Sequence, residues 1–404
     1  MLAACRRTPT TAAAPWFLLC AMLSMYADAA ETPALTLLRD IKSLQAKHSF
    51  LAPELLPPLI KLGQLYGAGQ CDRAIDILDL ALEVSRRKDG LFNTGQLEIY
   101  APLVNCYVSL DLPGALDRAQ QYVVRIDEQR YGKNDPRLLP TLDEAARRYE
   151  EVGLYLSARK LHLRAVEIAR RSTGPDDVSL VKPLRGIARA FRLEYAYGLA
   201  LPDLAPGSYV APELVSSATF DGGRTRLDRF GQRALETAVG ILRKHSDTHP
   251  EEYHETLLEL GDWHQLADHR NSALKPYREL WRALDARERA ADPGVRTDLL
   301  DQPQALLGGH NGTGRLRRPP ADVSRLQKYT VDIDYAVTRD GRVEDVTVVE
   351  SNAPRDIEIR IVRDFKHTRF RPRFEGGEPV ATQDLYQRQN FYKPRPATTT
   401  VAAK

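Results

Sequence analysis

The sequence predicts a multidomain chain: an all-α superhelical solenoid of repeated helix pairs, followed by a small α+β domain of ββαβ order. Two observations carry this. Tyrosines at 66, 107 and 149 recur 41 and 42 residues apart, each followed by an alanine-bearing second helix, and a near-constant period of this length marks stacked helical hairpins. Beyond residue 326 the period falls to two: Tyr329, Val331, Ile333, Tyr335 and Val337 alternate with polar residues, as in a half-buried strand. The 404 residues also exceed what one hydrophobic core organises.

The composition, 43% hydrophobic and 27% charged with a formal net charge of +3, is that of an ordinary globular chain and does not call for nucleic acid as a partner. The first thirty residues read as a secretory signal. Arg6 and Arg7 precede an apolar run over 12–27, and Ala27-Asp28-Ala29 is a small-x-small cleavage site, so a periplasmic protein cleaved near Ala29 is expected. Cleavage removes Cys5 and Cys20 and leaves Cys71 and Cys106 facing an oxidising compartment. Two readings of that pair stay open: a disulfide, or two small buried hydrophobes in adjacent helices.

In the helical part, Leu62-Gly63-x-x-Tyr66 leads to Ala74, Leu78 and Ala81. Leu103 and Tyr107 lead to Ala115, Ala119 and Tyr122; Ala145 and Tyr149 lead to Ala158, His162 and Ala165. Another copy begins at Gly186–Phe191, and a further one reads Leu260-Gly261-x-x-His264 with Ala273, Tyr277 and Leu280. Small residues belong where helix backbones approach, so Ala74, Ala115, Ala158 and Ala273 are expected at those contacts, with the period tyrosines buried. Turns are expected at Gly67-Ala68-Gly69, Asp111–Gly114 and Gly153. Tyr131-Gly132-Lys133-Asn134-Asp135-Pro136 joins successive pairs, and Arg171–Asp176 is a looser copy. These features resemble the tetratricopeptide repeat (TPR) family, in the longer form of kinesin light chains. The resemblance implies a protein-binding scaffold over roughly 50–290, interrupted by a Pro- and Gly-rich insertion at about 198–226.

The terminal domain opens with a hairpin whose turn is Asp340-Gly341. A helix over Pro354–His367 follows, with Ile357, Ile361, Val362 and Phe365 on one face, and a last strand runs over Thr382–Phe391 after a Gly376-Gly377 turn. The run Val337-x-x-Asp340-Gly341-Arg342-Val343, then Val348-Val349-Glu350-Ser351, Phe370-Arg371-Pro372 and Gly377-Glu378-Pro379-Val380, resembles the TonB C-terminal domain. That resemblance implies a strand-addition site along Thr382, Gln383, Asp384, Leu385, Tyr386, Gln387, Arg388 and Phe391. It also implies protein partners, outer-membrane or peptidoglycan-associated. The organisation expected is a signal peptide over 1–29, helix pairs over 30–291, a flexible linker over 292–325, the TonB-like domain over 326–393 and a disordered tail over 394–404.

No catalytic motif or cofactor-binding sequence is present, and no small-molecule substrate is evident. His245, His249, His254, His264 and His269 lack a ligand spacing and are expected as exposed or capping residues rather than a metal site. Arg315, Arg317 and Arg318, and Arg369, Arg371 and Arg373, are expected on solvated faces. The sequence therefore points to an adaptor, not an enzyme. Its alternatives are a TonB-like energy transducer for outer-membrane transport, held by an uncleaved N-terminal helix, and an enzyme centred on the histidines.

Overall fold

The computed structural model describes residues 33–197, 223–289, 299–306 and 326–394. The expected signal peptide, residues 198–222 of the expected insertion, Arg315, Arg317, Arg318 and the tail beyond 394 lie outside these residues, while 223–226, expected as the end of the insertion, begin a helix. No described helix is long and apolar enough to cross a membrane. The chain divides into two compact units, Met1–Arg130 and Tyr131–Lys404.

The first unit holds α1 (33–47), α2 (Leu56–Gly67), α3 (Cys71–Asp89), α4 (Gln96–Ser109) and α5 (Pro113–Tyr131). Leu59, Ile60 and Leu62 of α2 and Ala74, Leu78 and Ala81 of α3 are all buried, and a Cβ built on Gly63 would lie 2.4 Å from the Leu78 side chain. The α3–α4 loop is fastened by polar groups. Fully buried Gln96 donates to Leu91 O at 2.7 Å and accepts from Arg86, which donates to the Tyr100 hydroxyl and lies 4.8 Å from the Tyr122 ring centre. Cys71 and Cys106 form a disulfide with Cα atoms 5.2 Å apart. Tyr66 and Tyr107 are half-buried, against expectation. Tyr66 closes the last turn of α2 and keeps one face toward the Arg73 guanidinium. Ala115 is likewise half-buried, and Leu116 and Ala119 take the close contacts, because Leu116, not Ala115, is the fourth residue of its helix, as Ala74 is of α3 and Ala158 of the helix that begins at Tyr155.

The second unit begins with α6 (Leu139–Glu151), α7 (Tyr155–Thr173), α8 (Val181–Tyr197), α9 (Gly223–Lys244), α10 (Pro250–Leu266) and α11 (Arg270–Arg289). Ala145, Tyr149, Ala158, Ala165, Ala273, Tyr277 and Leu280 are buried, and His162 packs its ring where a Cβ on Gly186 would fall. One face of α8 carries cations at helical spacing, each answered by a neighbouring helix. Lys182 meets Asp143, Arg189 meets Glu150, and Arg185 meets Glu255 and Glu259.

The long connections share one backbone device. Gly90, Gly132 and Gly174 have φ of +91°, +99° and +97° and lie 42 residues apart, so each long second helix ends on the left-handed conformation that glycine adopts without penalty. After the latter two, Asp135 and Asp177 accept from the amides of Arg137 and Ser179, each at 2.9 Å, and start the next helix pair.

Within α10 and α11, Gly261 lies under the ring of fully buried Tyr277, 2.2 Å from where a Cβ would be. Gly240 in α9 has nothing within 4 Å. Gly261→Ala is therefore expected to lower stability by about 1–3 kcal/mol through overpacking. Gly240→Ala should raise it by about 0.5–1 kcal/mol through helix propensity. Thermal melts of the two variants should move in opposite directions; equal shifts would count against the contact.

The terminal sheet has the order β3-β2-β7, all antiparallel, from β2 (Leu326–Val337), β3 (Val343–Ser351) and β7 (Thr382–Pro394). Helix α12 (Arg355–Lys366) covers one face, placing Ile357, Ile361 and Phe365 against Val331, Ile333, Tyr335 and Val337. Short strands are added to the expected ββαβ order. β1 (Gln304–Ala305) pairs with β4 (Phe370–Arg371), and β5 (Arg373–Glu375) pairs with β6 (Glu378–Val380) around Gly376-Gly377. Residues 299–306, expected as flexible linker, instead pack. Leu300 is fully buried, and its carbonyl accepts from Phe374 N at 2.9 Å.

Candidate protein-binding site

Strand β7 lies at one edge of the sheet, paired to β2 from Thr382 opposite Val337 to Pro394 opposite Leu326. Among the described residues no strand pairs with its outer side. The predicted positions divide between the two faces. Leu385 packs with the helix-covered core, while Tyr386 and Arg388 stand exposed on the opposite face, across from Asp334 and Asp332. Arg388 grips Asp332 bidentately, Nε–Oδ1 2.7 Å and Nη2–Oδ2 2.6 Å. The Arg388 hydrogen bond holds the Asp332 carboxyl below its ordinary value. Because the pair covers itself on an open face rather than in a core, it fixes strand register more than it adds stability.

Gln387 is half-buried, and Gln389 is buried with its Nε2 unpaired. Thr382 is half-buried; Gln383 and Asp384 are exposed at the strand's entry, where Asp384 adopts φ +54°. That extra residue is a bulge, seen as the register shift between Tyr335 and Val337. From Leu385 onward the ladder is regular through Phe391.

The other edge, β3, is different. It carries two register shifts, a left-handed Asp345 (φ +52°), and exposed Glu344, Asp345, Val349 and Glu350. Bulges and like charges are the features that keep an edge from pairing with another chain. Of the two edges of this sheet, β7 is the one that runs long and regular among the described residues.

The strand is positioned by a dock onto the last helix pair. Arg371, expected on a solvated face, is buried beneath α10 and binds Asp262 through Nε–Oδ1 at 2.9 Å and Nη2–Oδ2 at 2.7 Å. The Tyr277 hydroxyl donates to the same Asp262 Oδ1 at 2.8 Å, and Arg371 Nη1 donates to Leu299 O at 3.0 Å. Burial works against the Arg371 charge, but attraction and hydrogen bonding to Asp262 outweigh it and raise its pKa; burial also pushes Tyr277 well above its ordinary value. The guanidinium and phenol thus stay protonated.

Three peripheral contacts complete the dock. Gln265 donates to Asp340 O at 2.5 Å, Arg270 binds the Asp340 carboxylate at 3.0 Å, and Arg278 binds Glu378 at 2.6 Å. Phe374 enters the helical core and meets Tyr277 edge-on at 5.6 Å. Arg369 lies 3.7 Å from Asp268 and Arg373 is half-buried beside Glu375.

The histidines do not converge: no metal-competent group of histidine, cysteine and carboxylates occurs among the described residues. His254 and His264 are buried rather than exposed or capping, because α10 is enclosed on most of its circumference, and burial lowers the pKa of His264. His249 sits at the N-cap of α10 without a side-chain cap bond.

No protein-family profile matches the sequence, and no curated protein matches it. Among solved structures, a Podosopora anserina kinesin-light-chain protein of nearly identical TPR-like repeats aligns at 18% identity and TM-score 0.38, over 60% of this chain and 99% of its own. A point-substituted form of the same protein aligns at 18% identity and TM-score 0.38, over 59% and 98%. BtubC (BKLC) from P. vanneervenii aligns at 16% identity and TM-score 0.35, over 66% and 95%. The similarity to these chains is distant; the helix-pair repeat rests on the packing described above.

Proposed function

We propose that the chain is an exported, non-enzymatic interaction scaffold of the cell envelope. Its helix pairs hold one protein, and its TonB-like terminal domain takes up a segment of a second as an added strand on β7. The observation that carries this reading is the regular edge of β7 over Leu385–Phe391, with no strand paired to its outer side among the described residues, set against a bulged and acidic β3. Main-chain pairing would supply affinity along such an edge, and the side chains on its two faces would supply specificity. The signal-like N-terminus and the Cys71–Cys106 disulfide support export to the periplasm.

The test uses the full chain, because Phe374 and Arg371 of the terminal domain are buried against the helices and an isolated domain would expose both. A photocrosslinker placed at Tyr386, which is 56% exposed, should capture a partner that the same crosslinker at Glu344 on the opposite edge does not. Equal capture from both sites, or from neither, would refute strand addition at β7. N-terminal sequencing of the exported protein should begin near Ala30; a start at Met1 would favour a retained N-terminal helix instead.

A further inference from the structure

Where the terminal domain meets the last helix pair, a cleft of about 790 Å³ opens between the start of α11 and the 339–340 turn and 372–379 segment. Pockets of this size at the meeting of two domains are the usual setting for small ligands. Its carboxylates are neutralised from within and behind the wall. The three carboxylates on its wall are already taken: Asp268 lies within 3.7 Å of Arg270, Arg342 and Arg369, Asp340 binds Arg270, and Glu378 binds Arg278. Four arginines thus answer three carboxylates.

Arg339 stands on the same wall, exposed and without a partner among the described residues, in a cleft that Asn271 and Ser272 also line. With the carboxylates engaged, the polar groups of the lining left for a ligand are Arg339, Asn271, Ser272 and His269, of which Arg339 is the permanently charged one, while Leu274, Pro372 and Pro379 supply an apolar wall.

We propose that this cleft binds a ligand that carries an oxyanion, a carboxylate or a phosphate, held by Arg339 with Ser272 and Asn271, and an apolar body laid against Leu274, Pro372 and Pro379. A guanidinium matches either oxyanion with paired hydrogen bonds. The cleft is far larger than an isolated oxyanion requires, and its walls come from both the helices and the sheet domain, so an occupant would bridge the two. The site is separate from the β7 edge, and its test reads out independently of strand addition.

The experiment is calorimetric titration of the full chain with three probes: N-acetyl-Ala-Ala-Leu as the free acid, the same peptide as its C-terminal amide, and inorganic phosphate. The free acid should bind at least tenfold more tightly than the amide. Arg339→Gln should weaken it at least tenfold, with Arg339→Lys retaining part of the affinity. Because Arg339 is exposed and has no partner among the described residues, neither variant should shift the melting temperature. Phosphate binding that depends on Arg339, without binding of the peptide acid, would support the oxyanion site and assign it to phosphate. Equal binding of acid and amide, undiminished binding to Arg339→Gln, or no binding of either anion would overturn the proposal.

Discussion

Replacing Asp262 by alanine is expected to destabilise the C-terminal unit by about 3–5 kcal/mol, the cost of stranding one member of a buried ion pair. Asp262 is 5% exposed and Arg371 8%, and the carboxylate accepts two hydrogen bonds from the guanidinium and one from Tyr277. Without it, a permanently charged guanidinium and a phenol are left in a site from which water is largely excluded. The loss should be local first. Hydrogen exchange should quicken over residues 299–306 and 370–375, since Arg371 ties Leu299 and Phe374 ties Leu300. Arg371→Met alone should cost a similar amount. Combining Asp262→Leu with Arg371→Met should restore much of the loss, because two apolar side chains leave no uncompensated charge, so the two sites will be strongly non-additive. Additive losses, or unchanged exchange in Asp262→Ala, would mean that the pair does not hold the dock.

This dock also shows what could and could not be read from sequence. The hairpin period was legible because its causes are local: Ala74 and Ala158 meet a neighbouring helix at the same point of each pair, and Gly90, Gly132 and Gly174 end three long helices in one conformation. The terminal hairpin, helix and last strand were legible for the same reason, through periods of two and 3.6. Arg371 and Asp262 lie 109 residues apart, and both belong to types ordinarily found in solvent, so three arginines at alternate positions read as a solvated run. A signal did exist. Tyr253, Thr256, Leu257, Leu260, Gly261, Asp262, Trp263 and Gln265 cover most of the circumference of α10, wider than one hairpin partner can bury. The same enclosure explains why His254 and His264 are not surface residues. The bulges at Asp345 and Asp384 were hidden for another reason: aspartate tolerates positive φ well enough that nothing in the alternation marks them.

Reduction of Cys71–Cys106 is expected to cost the N-terminal unit about 4 kcal/mol, from the chain entropy that a crosslink spanning 35 residues removes from the unfolded state. The two half-cystines have different surroundings, which decides how the effect should be measured. Cys106 is fully buried, so Cys106→Ser would add a hydroxyl to an apolar site and mix two effects. Cys71 is half-buried at the first residue of α3, and Cys71→Ser removes the crosslink with little change in packing. In oxidising buffer that variant should melt well below the parent chain; with a reductant present the two should coincide. If instead the pair were two buried thiols, reductant would leave the parent chain unmoved, and a thiol count on the denatured, unreduced chain beginning at Ala30 would find both cysteines free rather than neither. The outcome bears on the proposed export. A chain that draws this much of its stability from a disulfide reaches full stability only where thiols are oxidised. The chain produced without residues 1–29 in a reducing compartment should therefore accumulate less folded N-terminal unit than the same chain produced in an oxidising one, by an amount that Cys71→Ser abolishes.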